Sequence, residues 1–155
     1  LALAGCDLDE EKALRQALSK HIYLLETVHF QSKSTCTGAV FTLALAEFRA
    51  EFVAAVSVRK ALEMIGQGKA VHFYIPGASP NEISEAVMSL DLPSGLGLLS
   101  AAVGPAQNCM PEQVARGYYR VLMSEETRMV YLPAQNALLL VYTPEKLAFY
   151  LRGNV

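Results

Sequence analysis

The sequence has little surplus charge. Lys and Arg number 13 against 15 Asp and Glu, a formal net charge of -2. That near-balance excludes nucleic-acid binding driven by general basicity, though it leaves room for a local patch. Long apolar runs are missing too. A spanning helix needs about 20 consecutive apolar residues. The stretch 137–142 is too short, 96–103 carries Gly97 and Ser100, and 39–58 is broken by Glu47, Arg49 and Glu51. There is no internal repeat, no linker and no low-complexity segment. No GxSxG nucleophile elbow occurs, and no CxxC or HxxxH pair suggests a metal site. Cysteines number only 3. What is present is apolar substance. Hydrophobic residues make up 52% and charged residues 18% of 155 positions, which excludes disorder and fits one domain able to bury a core.

The chain opens on Leu1 rather than Met, so an upstream segment is expected. Its start changes abruptly from small and apolar, Leu1 to Cys6, to acidic, Asp7 to Glu11. Leu3-Ala4-Gly5-Cys6 resembles the lipobox of bacterial lipoproteins. In that class a diacylglyceryl group is attached to the cysteine thiol, and a signal peptidase cuts just before it. The resemblance covers four residues and implies nothing about the rest. The length makes 6–155 a single globular domain, and the resemblance implies that residues 1–5 are a signal remnant and that Cys6 is the lipidation site. It also implies export to the periplasmic side of a bacterial envelope, with a membrane anchor through the N-terminal lipid. Asp7 resembles an inner-membrane retention signal of some Gram-negative bacteria.

Lipidation of Cys6 leaves an even pair. In an oxidising compartment Cys36 and Cys109, both in polar, turn-like sequence, are expected to form a disulfide. The alternatives are two free thiols in a cytosolic protein, or Cys109 as a nucleophile whose thiol pKa is lowered just before a helix.

Periodicity predicts the elements. Leu14, Leu18, Ile22, Leu25 and His29 recur at helical spacing over 9–31, with Asp7 and Glu10 resembling a capping box. Phe41, Leu45, Phe48, Phe52 and Val56, in Ala-rich sequence, predict a second helix over 39–65 that kinks near 56, where Ser57 caps a fresh segment, and ends at Gly66. The two would form an antiparallel helical hairpin with Cys36 in its loop. Residues 70–75 read as a strand. Ser79-Pro80-Asn81-Glu82 is the best helix start in the chain. A partly apolar loop follows over 93–110, with a short helix at 98–103, then a helix from Pro111 to about Ser124. Residues 127–132 and 137–143 predict a strand hairpin, and Thr143-Pro144-Glu145 a last helix to Leu151. The expected fold is α+β: an N-terminal helical hairpin with a small, mainly antiparallel sheet and further helices.

Few residues suggest chemistry. His21 and His29 lie eight apart, too far on one helix for a shared metal without a third element such as His72. They read as polar or half-buried helix residues. Gly95-Leu96-Gly97 lacks the third glycine and the Lys-Ser/Thr of a phosphate loop and reads as a flexible loop. Residues 95–104 are either a partner or membrane contact or a buried turn of helix. Tyr118, Tyr119, Tyr131, Tyr142 and Tyr150 read as sheet and core residues before interface ones. The acidic pairs at 10–11 and 125–126, with Asp7 and Asp9, read as helix-end charges. The sequence therefore points to a binding or interaction module, contacting an envelope protein or peptidoglycan, with no cofactor, metal or catalytic residue to name. The alternatives are a small-molecule or lipid-binding domain with a pocket between helical hairpin and sheet, and a Cys109- or histidine-dependent enzyme.

Overall fold

The computed structural model describes residues 9–50, 52–93, 95 and 105–153. Cys6, the rest of the lipobox and the expected short helix at 98–103 lie outside the described residues.

The elements in chain order are α1 (Glu11–Leu18), β1 (Ile22–Lys33), β2 (Cys36–Phe48), β3 (Val53–Ala55), α2 (Val58–Gly66), β4 (Val71–Phe73) and α3 (Pro80–Leu90). A 3-10 turn (Pro105–Cys109), α4 (Glu112–Leu122), β5 (Thr127–Leu132), β6 (Ala137–Tyr142) and β7 (Leu147–Gly153) complete the described fold. One seven-stranded sheet runs in the order β1-β2-β7-β6-β5-β4-β3. Among the described strands only β3 and β4 pair in parallel.

The expected N-terminal helical hairpin with a small sheet is overturned. Helix survives in 9–31 only as α1, and β1 follows. The second expected helix is β2, β3 and α2, and the expected last helix is β7. The reason is burial on both faces. Residues 36–41 are buried without a break, as are 137–141 and 148–151. Strands enclosed on two sides read as continuous apolar runs rather than alternating ones. Such a run carries no period of its own, so helical and extended readings compete. Alanine at 39, 44 and 46 tilts local propensity toward helix, yet Ala39 is a fully buried strand residue between β1 and β7.

Other expectations hold locally. The polar break after Gln31 is the tight β1–β2 turn, with Lys33 paired to Cys36. Ser57 caps α2 by accepting from Lys60 N at 3.2 Å. Gly66 is still helical; the left-handed residue that stops the chain is Gly68, at φ +76. Ser79 and Glu82 form a reciprocal capping box on α3. Glu10, not Asp7, is the N-cap of α1, and it makes no side-chain cap hydrogen bond.

Side chains along each central strand alternate between two cores. Leu138 and Leu140 of β6, Phe149 and Leu151 of β7, and Val71 and Phe73 of β4 face a layer of α2, α3 and α4. Leu139 and Val141, Ala148 and Tyr150, and Phe41 and Leu43 face the other way, against Leu14 and Leu18 of α1. One eight-residue helix cannot cover that second face alone. The long β1–β2 hairpin finishes the task by curling over it. Register shifts between Ile22 and His29 break the ladder, and such bulges bend and twist a strand pair. Phe48, at the end of β2, thereby reaches His72 of β4, ring centres 5.1 Å apart, although three strands separate β2 from β4 in the sheet.

One buried group in the larger core lacks a partner. Tyr118 of α4 packs against Phe149, is 1% exposed, and its hydroxyl meets no hydrogen-bonding atom. A buried unpaired hydroxyl costs about 1–3 kcal/mol. Tyr118→Phe is therefore expected to stabilise the fold by about 1 kcal/mol. A higher urea midpoint at unchanged slope would show this; a lower midpoint would mean the hydroxyl is satisfied in solution.

Candidate functional site

Helix α1 organises the second face. Ahead of it, Asp9 is tied down by a closed ring of hydrogen bonds. Its backbone N–H donates to Ser32 Oγ at 3.0 Å, Thr37 Oγ1 donates to Asp9 Oδ2 at 2.6 Å, and the Ser32 and Thr37 hydroxyls are 2.8 Å apart. Since Thr37 donates to Asp9, Ser32 must donate to Thr37. Arg152 of β7 adds an ion pair to Asp9 at 3.1 Å, with both side chains largely shielded from water. Asp9 is thus a clasp between the chain's beginning and the sheet, rather than a helix-end charge.

Beneath α1 lies a mostly apolar groove of about 360 Å³, walled by Ala13, Leu14, Ala17, Leu18, Ala70 and Leu132 and floored by Tyr150. Small side chains on α1 and β4's approach make the space. Asp9, Glu10, Gln135 and His21 supply its polar margin. The pocket expected between a helical hairpin and the sheet is therefore replaced by a groove between one short helix and the sheet. His21 Nδ1 is buried there without a hydrogen-bond partner.

His21 also starts a chain of rings. It lies 4.7 Å from Phe52, which meets Phe48 edge-on at 5.2 Å; Phe48 meets His72 at 5.1 Å, and His72 meets Tyr74 at 5.8 Å. These rings close the curled hairpin onto β4. Burial lowers the pKa of both histidines, with smaller contributions from Lys20 beside His21 and Arg128 beside His72. Glu125 and Glu126 line the recess next to His72.

His29 does something else. Its Nε2 donates to Cys109 O at 2.7 Å, which fixes the tautomer with the proton on Nε2. So His21 and His72 meet the same aromatic pair, while His29 is set apart on the strand. Among the described residues no cluster of three or more His, Cys, Asp or Glu is placed to hold a metal.

Cys36 and Cys109 form a disulfide, with Cα atoms 6.0 Å apart and both residues fully buried. Cys109 therefore offers no free thiol. The bond joins the start of β2 to the 3-10 turn, and its surroundings are close-packed. A Cβ on Gly38 would stand 2.9 Å from Cys109 O, and Lys33 Nζ donates to Asn108 O at 2.8 Å. Gly95, from the supposed phosphate-loop fragment, is small because a Cβ there would fall 2.3 Å from Met88 Cα of α3. Tyr118 and Tyr150 are core residues, Tyr131 donates to Asn136 Oδ1 at 2.6 Å, and Tyr119 is exposed.

No protein-family model, curated protein or solved structure matches the chain.

The ring chain generates a pH dependence. Folded His21 and His72 bind protons less readily than their unfolded forms, which titrate near 6.5. Unfolding therefore takes up protons, and stability falls as pH drops below about 6.5 toward the lowered folded values. The thermal midpoint should fall between pH 7.5 and 5.5. In the His21→Phe/His72→Phe double variant, which keeps the rings, that fall should be smaller. An equal fall in both proteins would remove the histidines from the account.

Proposed function

We propose that this protein is a lipid-anchored domain of a bacterial envelope that works by binding, with Cys6 as the acylated residue. Cysteine pairing carries the reading. Cys36 and Cys109 are consumed by a buried disulfide, the kind of bond that persists in oxidising compartments. The remaining cysteine is the one in Leu3-Ala4-Gly5-Cys6. No helix among the described residues is long and apolar enough to cross a membrane, so the proposed hold on the bilayer is the lipid. Acyl chains contribute about 0.8 kcal/mol per buried methylene, and two or more anchor stably.

The test is expression of the full gene in a bacterium fed labelled palmitate, followed by fractionation. The wild-type chain should carry label and sediment with membranes. Cys6→Ser should lose the label and move to the soluble fraction. A Cys6→Ser chain that still carries label would refute acylation at this residue.

A second reading, a domain that binds an apolar small molecule or lipid, is favoured by the groove under α1. Its walls are apolar and one buried polar atom, His21 Nδ1, lies at its margin unpaired. The chain has no tryptophan, so Ala17→Trp both fills the groove and reports on it. On this reading the wild type brightens an environment-sensitive apolar dye, and Ala17→Trp reduces that signal at least severalfold. Equal dye response from both proteins would count against the groove.

A further inference from the structure

On the other flank of α1, between that helix and the β1–β2 hairpin, an open cleft of about 450 Å³ is lined by Glu11, Lys12, Arg15, Ile22, Leu24 and Arg49, among others. Three cations thus face one carboxylate. The four ion pairs among the described residues are Lys60–Glu63, Arg116–Glu112, Arg120–Glu145 and Arg152–Asp9. None uses Lys12, Arg15 or Arg49. In a chain of net charge -2, neither arginine forms an ion pair with a described carboxylate, Glu11 of the same cleft included.

They are also held in place. Arg15 donates to Leu25 O at 2.6 Å and to Thr27 Oγ1 at 3.0 Å, and its guanidinium lies 5.7 Å from the Phe41 ring centre. Arg49 stacks 4.4 Å from the Tyr23 ring centre, and its backbone N–H is fixed to His21 O at 2.6 Å. A guanidinium has five N–H donors. Arg15 spends one from each terminal nitrogen on these contacts, and no described atom accepts from the Arg49 side chain. The Arg15 side chain is thus ordered before any ligand arrives, and that of Arg49 is restrained by its ring contact alone among the described residues, which favours binding. Buried Ile22 and half-buried Leu24 form an apolar wall, which strengthens the field of nearby charges.

We propose that this cleft binds a phosphate-class oxyanion, presented as the headgroup of an anionic phospholipid. Planar guanidinium forks match phosphate oxygens in pairs. The choice of headgroup over free phosphate rests on the anchor proposed above; the anion site itself does not. Cys6 precedes the clasped Asp9 by three residues, a span of at most about 10 Å. Lys12, in the first turn and a half of α1, follows directly. Acylation at Cys6 would therefore hold the cleft at the bilayer surface, where each basic residue contributes to attraction.

The experiment uses the full 155-residue chain carrying Cys6→Ser, so its outcome does not depend on lipidation. Sedimentation with phosphatidylglycerol vesicles is compared with phosphatidylcholine vesicles. The expected result is binding to the first only. Arg15→Gln and Arg49→Gln should each weaken it about fivefold, and Lys60→Gln, an equal charge loss on α2, should leave it nearly unchanged. Arg49 is exposed, so its variant tests the site without loading the fold; thermal midpoints check both. Inorganic phosphate is titrated at constant ionic strength in a second arm. If the wild type binds low-millimolar phosphate and the arginine variants do not, but the wild type shows no preference for phosphatidylglycerol vesicles, the site takes free oxyanion and the headgroup assignment falls. If both arginine variants behave like Lys60→Gln with vesicles and with phosphate, the cleft is not an anion site.

Discussion

Everything in this fold follows from the burial of β6 and β7 on both faces. Residues 137–141 have no exposed surface, and 148–151 nearly none. Burying a Leu, Val or Phe side chain contributes about 1.5–3 kcal/mol, so strands of this composition demand a full layer above and a full layer below. They also demand inner positions, because an edge strand so apolar would pair with other chains. The sheet order meets that demand, with β2 outside β7 and β5, β4 and β3 outside β6. One layer is conventional: α2, α3 and α4. The other is improvised from an eight-residue helix and a hairpin bent by bulges. The hairpin's free edge is managed as well. Arg15 takes up Leu25 O, a carbonyl within the irregular stretch of β1.

Openings arise where that improvised layer runs out. Helix α1 has two flanks, and neither is closed. On one side, Ala13, Ala17 and Ala70 are too small to fill the space over Tyr150, which leaves the apolar groove. On the other, the space between α1 and the curled hairpin leaves the arginine-lined cleft. A longer helix would cover both. The features offered as functional are thus consequences of the same constraint that builds the core, sited where cover is thinnest. The disulfide works at the opposite end of the hairpin. It fixes the β1–β2 turn to the 3-10 turn, while the bent end is held by the ring chain, buried Ile22 and the hydrogen bonds from Arg15.

Legibility in the sequence tracked how local each determinant is. Ser79-Pro80-Asn81-Glu82 announced α3, because a capping box is complete within four residues. The polar turn at Ser34 and Thr35 was legible for the same reason, and the β5–β6 hairpin shows its turn residues openly. Cys36 with Cys109 was accessible by pairing arithmetic. The helical hairpin was not. Leu14, Leu18, Ile22, Leu25 and His29 keep a helical spacing that is real only to Leu18; beyond it Ile22 is buried in β1 and Leu25 is exposed. Nothing within 22–48 states that both faces will be covered, since the covering residues come from β7, α1 and the segment after Cys109. The cleft was invisible for a related reason. Arg15 and Arg49 stand 34 positions apart, and only the curl of the hairpin joins them. What the sequence did offer was Arg49 interrupting an apolar stretch, which served to exclude a membrane span and pointed no further.

Asp9 connects these observations. Its carboxylate receives Thr37 of β2 and Arg152 of β7, and its N–H reaches Ser32 of β1. Three strands therefore converge on one residue at the chain's beginning. Chained hydroxyls polarise one another, so such a ring is stronger than separate bonds. Under the proposed anchor at Cys6, any pull from the bilayer meets this clasp before it meets α1. The load passes into β2 and β7 and bypasses the short helix, whose only large core contacts are Leu14 and Leu18. A tether attached directly to α1 would instead peel it from the sheet and merge the groove with the cleft. The clasp is thus the mechanical counterpart of the incomplete second layer: it lets a lightly held helix, with an opening on each side, sit beside the point of attachment.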